Sequence, residues 1–275
     1  PCLGRRRLPN GILGLLTIRS QILHFIRNRT GGIERDPVLV FGNQKSGTTA
    51  ITALLALMTE NQYSSDIFFR LKKDNMTAIW RKELKWKDFV YAHRAFFRSK
   101  IIKEPSFTLL MPEVLEFYPT AKALFIVRHP LENIRSILNR LKIQPKSKDW
   151  GYGAMPREWQ NILTGLHVPN SGENYMENLS LRWLRCVELY ERSKNRLQLV
   201  KYEAFNSDKA SELKSICAAL GLEVRKAVEP HCDTQFQPKG QEVKDFKEFL
   251  GADNYSIVRK ICSPAAKQFG YEFES

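Results

Sequence analysis

Pro37-Val-Leu-Val-Phe41 runs without a gap into Gly42-Asn-Gln-Lys-Ser-Gly-Thr-Thr49, and that octet runs into Ala50-Ile-Thr-Ala-Leu-Leu-Ala-Leu-Met58. The first segment is short and wholly apolar, the pattern of a strand buried on both faces. The last is dominated by Ala, Leu and Met, strong helix formers. Between them lies a loop with glycines at both ends of a six-residue span. Backbone N–H groups in such a loop, opening onto a helix N-terminus, form an anion site. Two glycines alone could simply turn a strand into a helix. Their position directly between these two segments is what points to phosphate.

The spacing Gly42-x-x-x-x-Gly47 matches the first part of the Walker A pattern, G-x-x-x-x-G-K-[ST]. Thr48 then occupies the lysine position, and the lysine is displaced to Lys45, inside the loop. A nucleoside triphosphatase uses that lysine, the next hydroxyl and a strand-end Asp to manage phosphates and magnesium. The clearest later strand here, Ala123-Leu-Phe-Ile-Val127, ends in Arg128. A strand-end cation binds a second anion and repels a metal, so the expectation is phosphate chemistry handled by protein donors, with no metal.

Outward from the loop, strands are expected at Phe89–His93, near Lys100–Lys103, at Ala123–Val127 and at Leu197–Tyr202. Helices are expected over about Leu109–Phe117, from Pro130 (suited to a first helical position) to Leu141, over Tyr175–Lys194, and over Ser211–Leu220, stopped by Gly221. Residues 142–175 are polar and rich in Gly and Pro, the character of a long loop or a partial helix, and loops of that length are often functional. Strands alternating with helices predict a single α/β domain over 37–275, with a mostly parallel central sheet flanked by helices. Residues 1–36 form an N-terminal extension. Within it 11–28 reads as a basic amphipathic helix, packed on the core or laid on a partner or lipid surface.

The composition is that of an ordinary globular chain: 275 residues, 43% hydrophobic and 26% charged. Its net charge of +14 draws anions such as nucleotides or acidic glycans, and also favours solubility. The basic residues are dispersed and lack RNP-type aromatics or zinc-finger spacing, which argues against a nucleic-acid partner. No apolar run approaches the length of a membrane helix. The five cysteines stand apart without C-x-x-C spacing, which suits the cytoplasm. Four glycosylation sequons, at Asn28, Asn75, Asn178 and Asn254, matter only if the chain is secreted, and the Golgi lumen is the alternative compartment if an N-terminal anchor was trimmed.

Gln44-Lys-Ser-Gly-Thr-Thr49 resembles the 5′-phosphosulfate loop of sulfotransferases that use 3′-phosphoadenosine 5′-phosphosulfate (PAPS). Ile126-Val-Arg-His-Pro-Leu-Glu-Asn-Ile-Arg-Ser136 resembles the family's second element, a strand-end Arg and a helical Ser that bind the 3′-phosphate. Val200-Lys-Tyr-Glu203 is similar to the late strand whose Tyr lies near adenine, and Pro238-Lys-Gly240 to the segment that closes over the 3′-phosphate. The resemblance spans about residues 37–271. It implies donor binding by Gln44, Lys45, Ser46, Gly47, Thr48, Thr49, Arg128, Ser136, Tyr202, Lys239 and Gly240.

Two departures stand out. Cytosolic members carry a Trp after Thr-Thr; here it is Ala50, and Trp86 is the substitute considered for the adenine surface. Those members also carry Lys-Thr-His, whose His is the base. The matching stretch, Ile101-Ile-Lys-Glu-Pro105, places Pro105 at the His position and Glu104 before it. Glu is the base in other branches, so Glu104 is a candidate, against the alternative that it only complements a helix N-terminus. His93 is the runner-up, against an ordinary structural role.

The implied reaction is in-line transfer of a sulfuryl group to a hydroxyl or amine of a small-molecule or carbohydrate acceptor. Lys45 neutralises the leaving oxygen, and adenosine 3′,5′-bisphosphate (PAP) is released. The competing readings are a P-loop small-molecule kinase and a non-catalytic anion-binding module. The acceptor pocket is expected from 60–90 and 142–175, where Trp80, Trp86, Trp150, Tyr152 and Trp159 could line it or merely pack in the core.

Overall fold

The wholly apolar segment forms strand β1 (Val38–Gly42), buried along its whole length at the centre of a five-stranded sheet. The structure is a computed structural model and describes residues 31–71, 73–147, 149, 155–236 and 243–273. The other strands are β2 (Tyr63–Ser65), β3 (Ile101–Lys103), β4 (Lys122–Val127) and β5 (Gln198–Lys201), in the order β2-β3-β1-β4-β5. All four pairings are parallel, with Val38 opposite both Ile101 and Lys122.

A strand buried on both faces sends alternate side chains into two cores. Leu39 and Phe41 join Ile102, Phe125 and Val127 on one side. Val38 and Val40 join Ile101, Leu124, Ile126 and Val200 on the other. Helices α1 (Thr48–Thr59), α2 (Pro130–Leu141), α3 (Tyr175–Ser193), α4 (Lys209–Leu220) and α5 (Ala252–Ala266) cover the two faces. Ile51 and Leu55 of α1 and Ile216 of α4 fill the second core. Ile134 of α2, Trp183 of α3 and Val258 of α5 fill the first. The fold is therefore α/β with a parallel sheet between helical layers. The chain leaves β1 toward β3 on one side and β4 on the other. Such a reversal opens a crevice at the strands' carboxyl ends, where ligands of open α/β sheets bind.

The local signals explain the boundaries. Pro130 opens α2, where His129 Nδ1 accepts a hydrogen bond from Leu131 N. Asn174 caps α3 by accepting from Met176 N and Glu177 N. Gly221 ends α4 in the left-handed conformation at φ 55°.

Several expectations are corrected. Phe89–His93 is not a strand: a helix covers Trp86–Ala92, with His93 at its C-cap. Trp86, Phe89 and Val90 are its buried residues, a helical i, i+3, i+4 spacing that the apolar run concealed. The sheet's missing edge comes from Tyr63–Ser65, three mostly polar residues that carry no strand signature. Tyr202 does not end β5 but starts a helix, Tyr202–Ser207. Residues 142–175 do carry a partial helix, at Arg157–Leu163, one of the two readings made of that stretch. Trp86 is not an adenine platform, because it sits in an aromatic core with its ring edge-on to Phe107 at 4.8 Å and Phe97 at 5.9 Å. Among the described residues no helix is long and apolar enough to cross a membrane. The amphipathic segment 11–28, and Trp150 and Tyr152, lie outside the described residues.

Gly42 shows how tightly the sheet meets the loop. Its φ is 145°, and a Cβ there would lie 2.7 Å from the Ile126 carbonyl oxygen. Gly42→Ala is expected to cost roughly 1–3 kcal/mol in urea unfolding, the scale of local backbone strain. Gly32→Ala, with nothing within 4 Å of the added carbon, should stay within about 0.5 kcal/mol.

Candidate active site

Beyond Gly42 the chain spends its carbonyls on the protein. The Gly42 carbonyl accepts from Thr108 Oγ1 (3.1 Å) and the Asn43 carbonyl from Ser46 N (3.2 Å). The Gln44 carbonyl accepts from Asn133 Nδ2 (2.8 Å), the Lys45 carbonyl from Arg128 Nη1 (3.1 Å), and the Gly47 carbonyl from Ile51 N (3.2 Å). The N–H groups of Gly42, Gln44 and Ser46 are also spent internally, on Thr108 Oγ1 (2.8 Å), Asn43 Oδ1 (3.0 Å) and the Asn43 carbonyl, so the anion site falls to the helix N-terminus that follows. No side chain caps α1, whose N-cap is Gly47 in the left-handed conformation at φ 93°. The first N–H groups of a helix have no intrahelical acceptor, so this end is ready for an anion. Lys45 is also left-handed, at φ 68°.

Two buried side chains hold the loop from behind. Asn133 of α2 accepts from Asn43 Nδ2 at 2.9 Å and also donates to Ser46 Oγ at 3.1 Å. Arg182 of α3, wholly buried, donates to Asn43 Oδ1 (3.1 Å) and doubly to Gln44 Oε1 (3.0 and 2.7 Å). The Gln44 amide then donates to Ser106 Oγ at 3.1 Å. The resemblance named none of Asn133, Arg182, Asn43 or Thr108. The available signal was a polar residue on an otherwise buried helical face, as at Arg182 between Leu179 and Cys186.

The expected cations converge on the loop. Arg128 is buried at the end of β4, its backbone carbonyl accepting from Trp183 Nε1 at 2.9 Å. Its guanidinium lies 4.4 Å from the centre of the Tyr202 ring and pairs with Glu132 at 2.7 Å, while its Nε is buried without an acceptor. The Tyr202 ring packs against Gly47 so closely that a Cβ there would lie 2.2 Å from it. Tyr202 is thus beside the loop and the Arg128 guanidinium. Ser136 lies two turns further along α2, partly exposed. Burial, reinforced by Arg140, Arg128 and Lys103, lowers the Lys45 pKa to about 8. Lys239 and Gly240 lie outside the described residues.

Glu104 sits on the other side of the loop, between β3 and the turn of helix that follows. It is buried, its carboxylate accepting from Ser106 N (3.1 Å) and Phe68 N (3.3 Å). The capping role weighed from sequence is therefore present. Burial, and then the Asp66 carboxylate, raise its pKa to about 7, against the pull of Lys103. Lys103 is itself buried and pairs with Asp66 at 2.7 Å. A carboxyl that titrates near neutrality beside an anion-binding loop can act as a general base. His93 is placed differently: its ring packs on Phe89 at 5.0 Å, and Phe89 on Phe68 at 5.2 Å. Among the described residues no cluster of three or more His, Cys, Asp or Glu could hold a metal.

A sulfotransferase family model matches residues 58–226. The chain belongs to the sulfotransferase family and is a sulfotransferase enzyme; the matched span begins after the loop and includes Glu104, Arg128 and Arg182. Its fold is similar to that of sulfotransferase STF9 from Mycobacterium avium, with 14% identity, TM-score 0.53 and coverage of 94% of this chain and 82% of that one. STF1 from Mycobacterium tuberculosis is similar at 14% identity and TM-score 0.50, covering 85% and 81%. Mouse sulfotransferase SULT7A1 complexed with PAP is similar at 14% identity and TM-score 0.50, covering 90% and 93%. No curated protein sequence matches the chain. At such identities the structural likeness establishes the fold.

Removing the Asn133 amide would orphan the Gln44 carbonyl and the Asn43 amide at once. Asn133→Ala is expected to cost about 2–4 kcal/mol in urea unfolding, from two buried groups left unpaired.

Proposed function

We propose that the protein transfers the sulfuryl group of PAPS to a hydroxyl or amine of a small-molecule or carbohydrate acceptor and releases PAP. One observation carries this reading. An uncapped helix N-terminus, Lys45 and a buried strand-end arginine all meet at one loop. A magnesium-dependent kinase would need a carboxylate where Arg128 stands.

The residues divide the work by chemistry. The amides of Gly47, Thr48 and Thr49, with the Thr48 and Thr49 hydroxyls, hold the 5′-phosphate, while Gln44 and Ser46 keep the loop in shape. Arg128, with Ser136 beyond it, takes the 3′-phosphate. To do so its Nη2 turns from Glu132 and joins the unpartnered Nε as a two-pronged donor, while Nη1 keeps the Lys45 carbonyl. A fork of charge-assisted hydrogen bonds is strong enough to align the reacting end. Tyr202, held on Gly47, faces the nucleotide. The acceptor oxygen or nitrogen attacks sulfur in line as the sulfur–oxygen bond to the 5′-phosphate breaks. Glu104 accepts the acceptor's proton, and Lys45 balances the charge that develops on the leaving phosphate oxygen. Glu104, rather than His93, is the base in this reading, because Ser106 ties it directly to the loop through Gln44.

The pH dependence has a definite sign. Glu104 is a base only above its raised pKa of about 7. Lys45 is a cation only below its lowered pKa of about 8. The free enzyme's kcat/KM should therefore rise through about 7 and fall through about 8. Glu104→Gln should remove the rising limb and lower the rate by about 10²–10⁴-fold. A Gln variant with an unchanged profile would exclude Glu104.

Donor binding can be tested separately by calorimetry. PAP should bind without magnesium, and more tightly than ATP. Arg128→Ala should weaken PAP by about 10–100-fold, the scale of charged hydrogen bonds. The same change should hardly affect adenosine 5′-phosphosulfate, which lacks the 3′-phosphate. Equal losses for both ligands would remove Arg128 from that role.

A further inference from the structure

A buried cation needs an anion, and the anion at Arg128 fills only half of its fork. Arg128 Nη2 donates to Glu132 Oε2 at 2.7 Å, while the neighbouring Nε is buried without an acceptor. Nε and Nη2 form one edge of a guanidinium, suited to two oxygens of a single anion. Glu132 Oε2 is also shared: Arg135 reaches the same atom with Nε at 3.2 Å and Nη2 at 2.6 Å. We propose that Glu132 is a specificity-determining residue of the donor site. It holds Arg128 in the place of the 3′-phosphate, and only a ligand that fills both prongs displaces it onto Arg135. The inference rests on the donor reading above and adds a residue that competes with the nucleotide instead of binding it.

The exchange conserves every ion pair. The Arg128 and Arg135 side chains are only 10% and 11% exposed, so either guanidinium left without an anion would be costly. When a phosphate takes Arg128, Glu132 keeps its two bonds to Arg135 and no charge is stranded. Arg128 meanwhile gains an acceptor for the Nε that had none. Its Nη1 stays on the Lys45 carbonyl and its guanidinium on the Tyr202 ring, so the change is confined to the Nε–Nη2 edge.

The same geometry explains selection. A phosphate monoester brings up to two charges and three acceptor oxygens, and it outcompetes one shared carboxylate oxygen. A 3′-hydroxyl brings no charge and leaves Glu132 in place. A nucleotide without the 3′-phosphate therefore gains nothing from Arg128. An internal competitor also lowers the apparent affinity of the correct ligand by the fraction of time it holds the site. Glu132 has an ordinary role as well, since it lies in the first turn of α2, where a carboxylate complements the helix dipole. That role alone involves no contact with Arg128 and treats nucleotides with and without the 3′-phosphate alike.

Calorimetry with PAP and with adenosine 5′-phosphosulfate tests the inference through its sign. Glu132→Gln and Glu132→Ala should each tighten PAP by about three- to tenfold, between the scale of an exposed ion pair and that of a buried charged hydrogen bond. Adenosine 5′-phosphosulfate should stay within about twofold of its wild-type affinity. Arg135→Ala, which leaves Glu132 to Arg128 alone, should weaken PAP by about threefold or more, and that loss should vanish in the Glu132→Gln background. Thermal melting verifies that each variant is folded. Weaker or unchanged PAP binding in both Glu132 variants, equal tightening of both nucleotides, or an Arg135→Ala loss that persists without Glu132 would overturn the inference. A wild-type protein that binds no PAP would sink the donor reading itself, and this inference with it.

Discussion

Everything at the site depends on where the carbonyl oxygens of residues 42–47 go. A loop that binds an anion through its N–H groups must turn its oxygens away, and buried oxygens must be satisfied. Thr108, Asn133 and Arg128 meet that requirement with side chains, while Ser46 N and Ile51 N meet it with backbone. Lys45 is held in a left-handed conformation that a non-glycine residue rarely adopts, beside Gly47, which takes it freely. Asn133 and Arg182 come from helices far along the chain, so the loop takes this shape only once α2 and α3 have packed on the sheet.

That packing also sets the electrostatics. The loop gathers Lys45, Lys103, Arg128 and Arg140 into one region. Such a concentration of charge destabilises the fold unless it is offset. Asp66 pairs with Lys103, and Glu132 bridges Arg128 and Arg135. Burial first, and then the neighbouring cations, lower the Lys45 pKa, whereas Glu104, buried and near Asp66, has a raised one. Opposite shifts in one site place the two groups at roughly the same pH. Only there are the base form of one and the acid form of the other present together.

The sequence revealed the parts whose physics is local. Val38–Gly42, the glycine octet and α1 were legible because burial on both faces, tight turning and helix formation each leave a contiguous signature. Lys122–Val127 and Pro130–Leu141 were legible for the same reason. Phe89–His93 misled because a buried helical turn and a short strand have the same apolar run, and only tertiary packing separates them. Tyr63–Ser65 was invisible because its hydrogen bonds to β3, not its side chains, make it a strand. Arg182 and Asn133 went unnamed since their partners lie 139 and 90 residues away in the chain. Their only trace was a polar side chain on an apolar helical face.

The two halves of the site are built from different material. The donor half sits on β1 and β4, paired over five consecutive positions and buried in two cores. In the reading proposed above, the acceptor half falls to short helices at Ile67–Leu71, Asn75–Trp80 and Arg157–Leu163, joined by loops. A central parallel strand cannot change its alternate side chains without disturbing one core or the other. A short helix with one face packed can exchange its outward residues at little cost to the sheet. Shared architecture at 14% identity is what such a division permits. In that reading the nucleotide end is held by positions that also hold the fold, and the acceptor end can vary only at the outward positions of those helices, since Ile67, Phe68, Ile79 and Leu163 are core. Arg182 crosses that boundary: one side chain braces the loop through Gln44 and also lines a small cavity with Phe68, Met76 and Ile162 of those short helices, so their packing bears on the same side chain that fixes the donor loop.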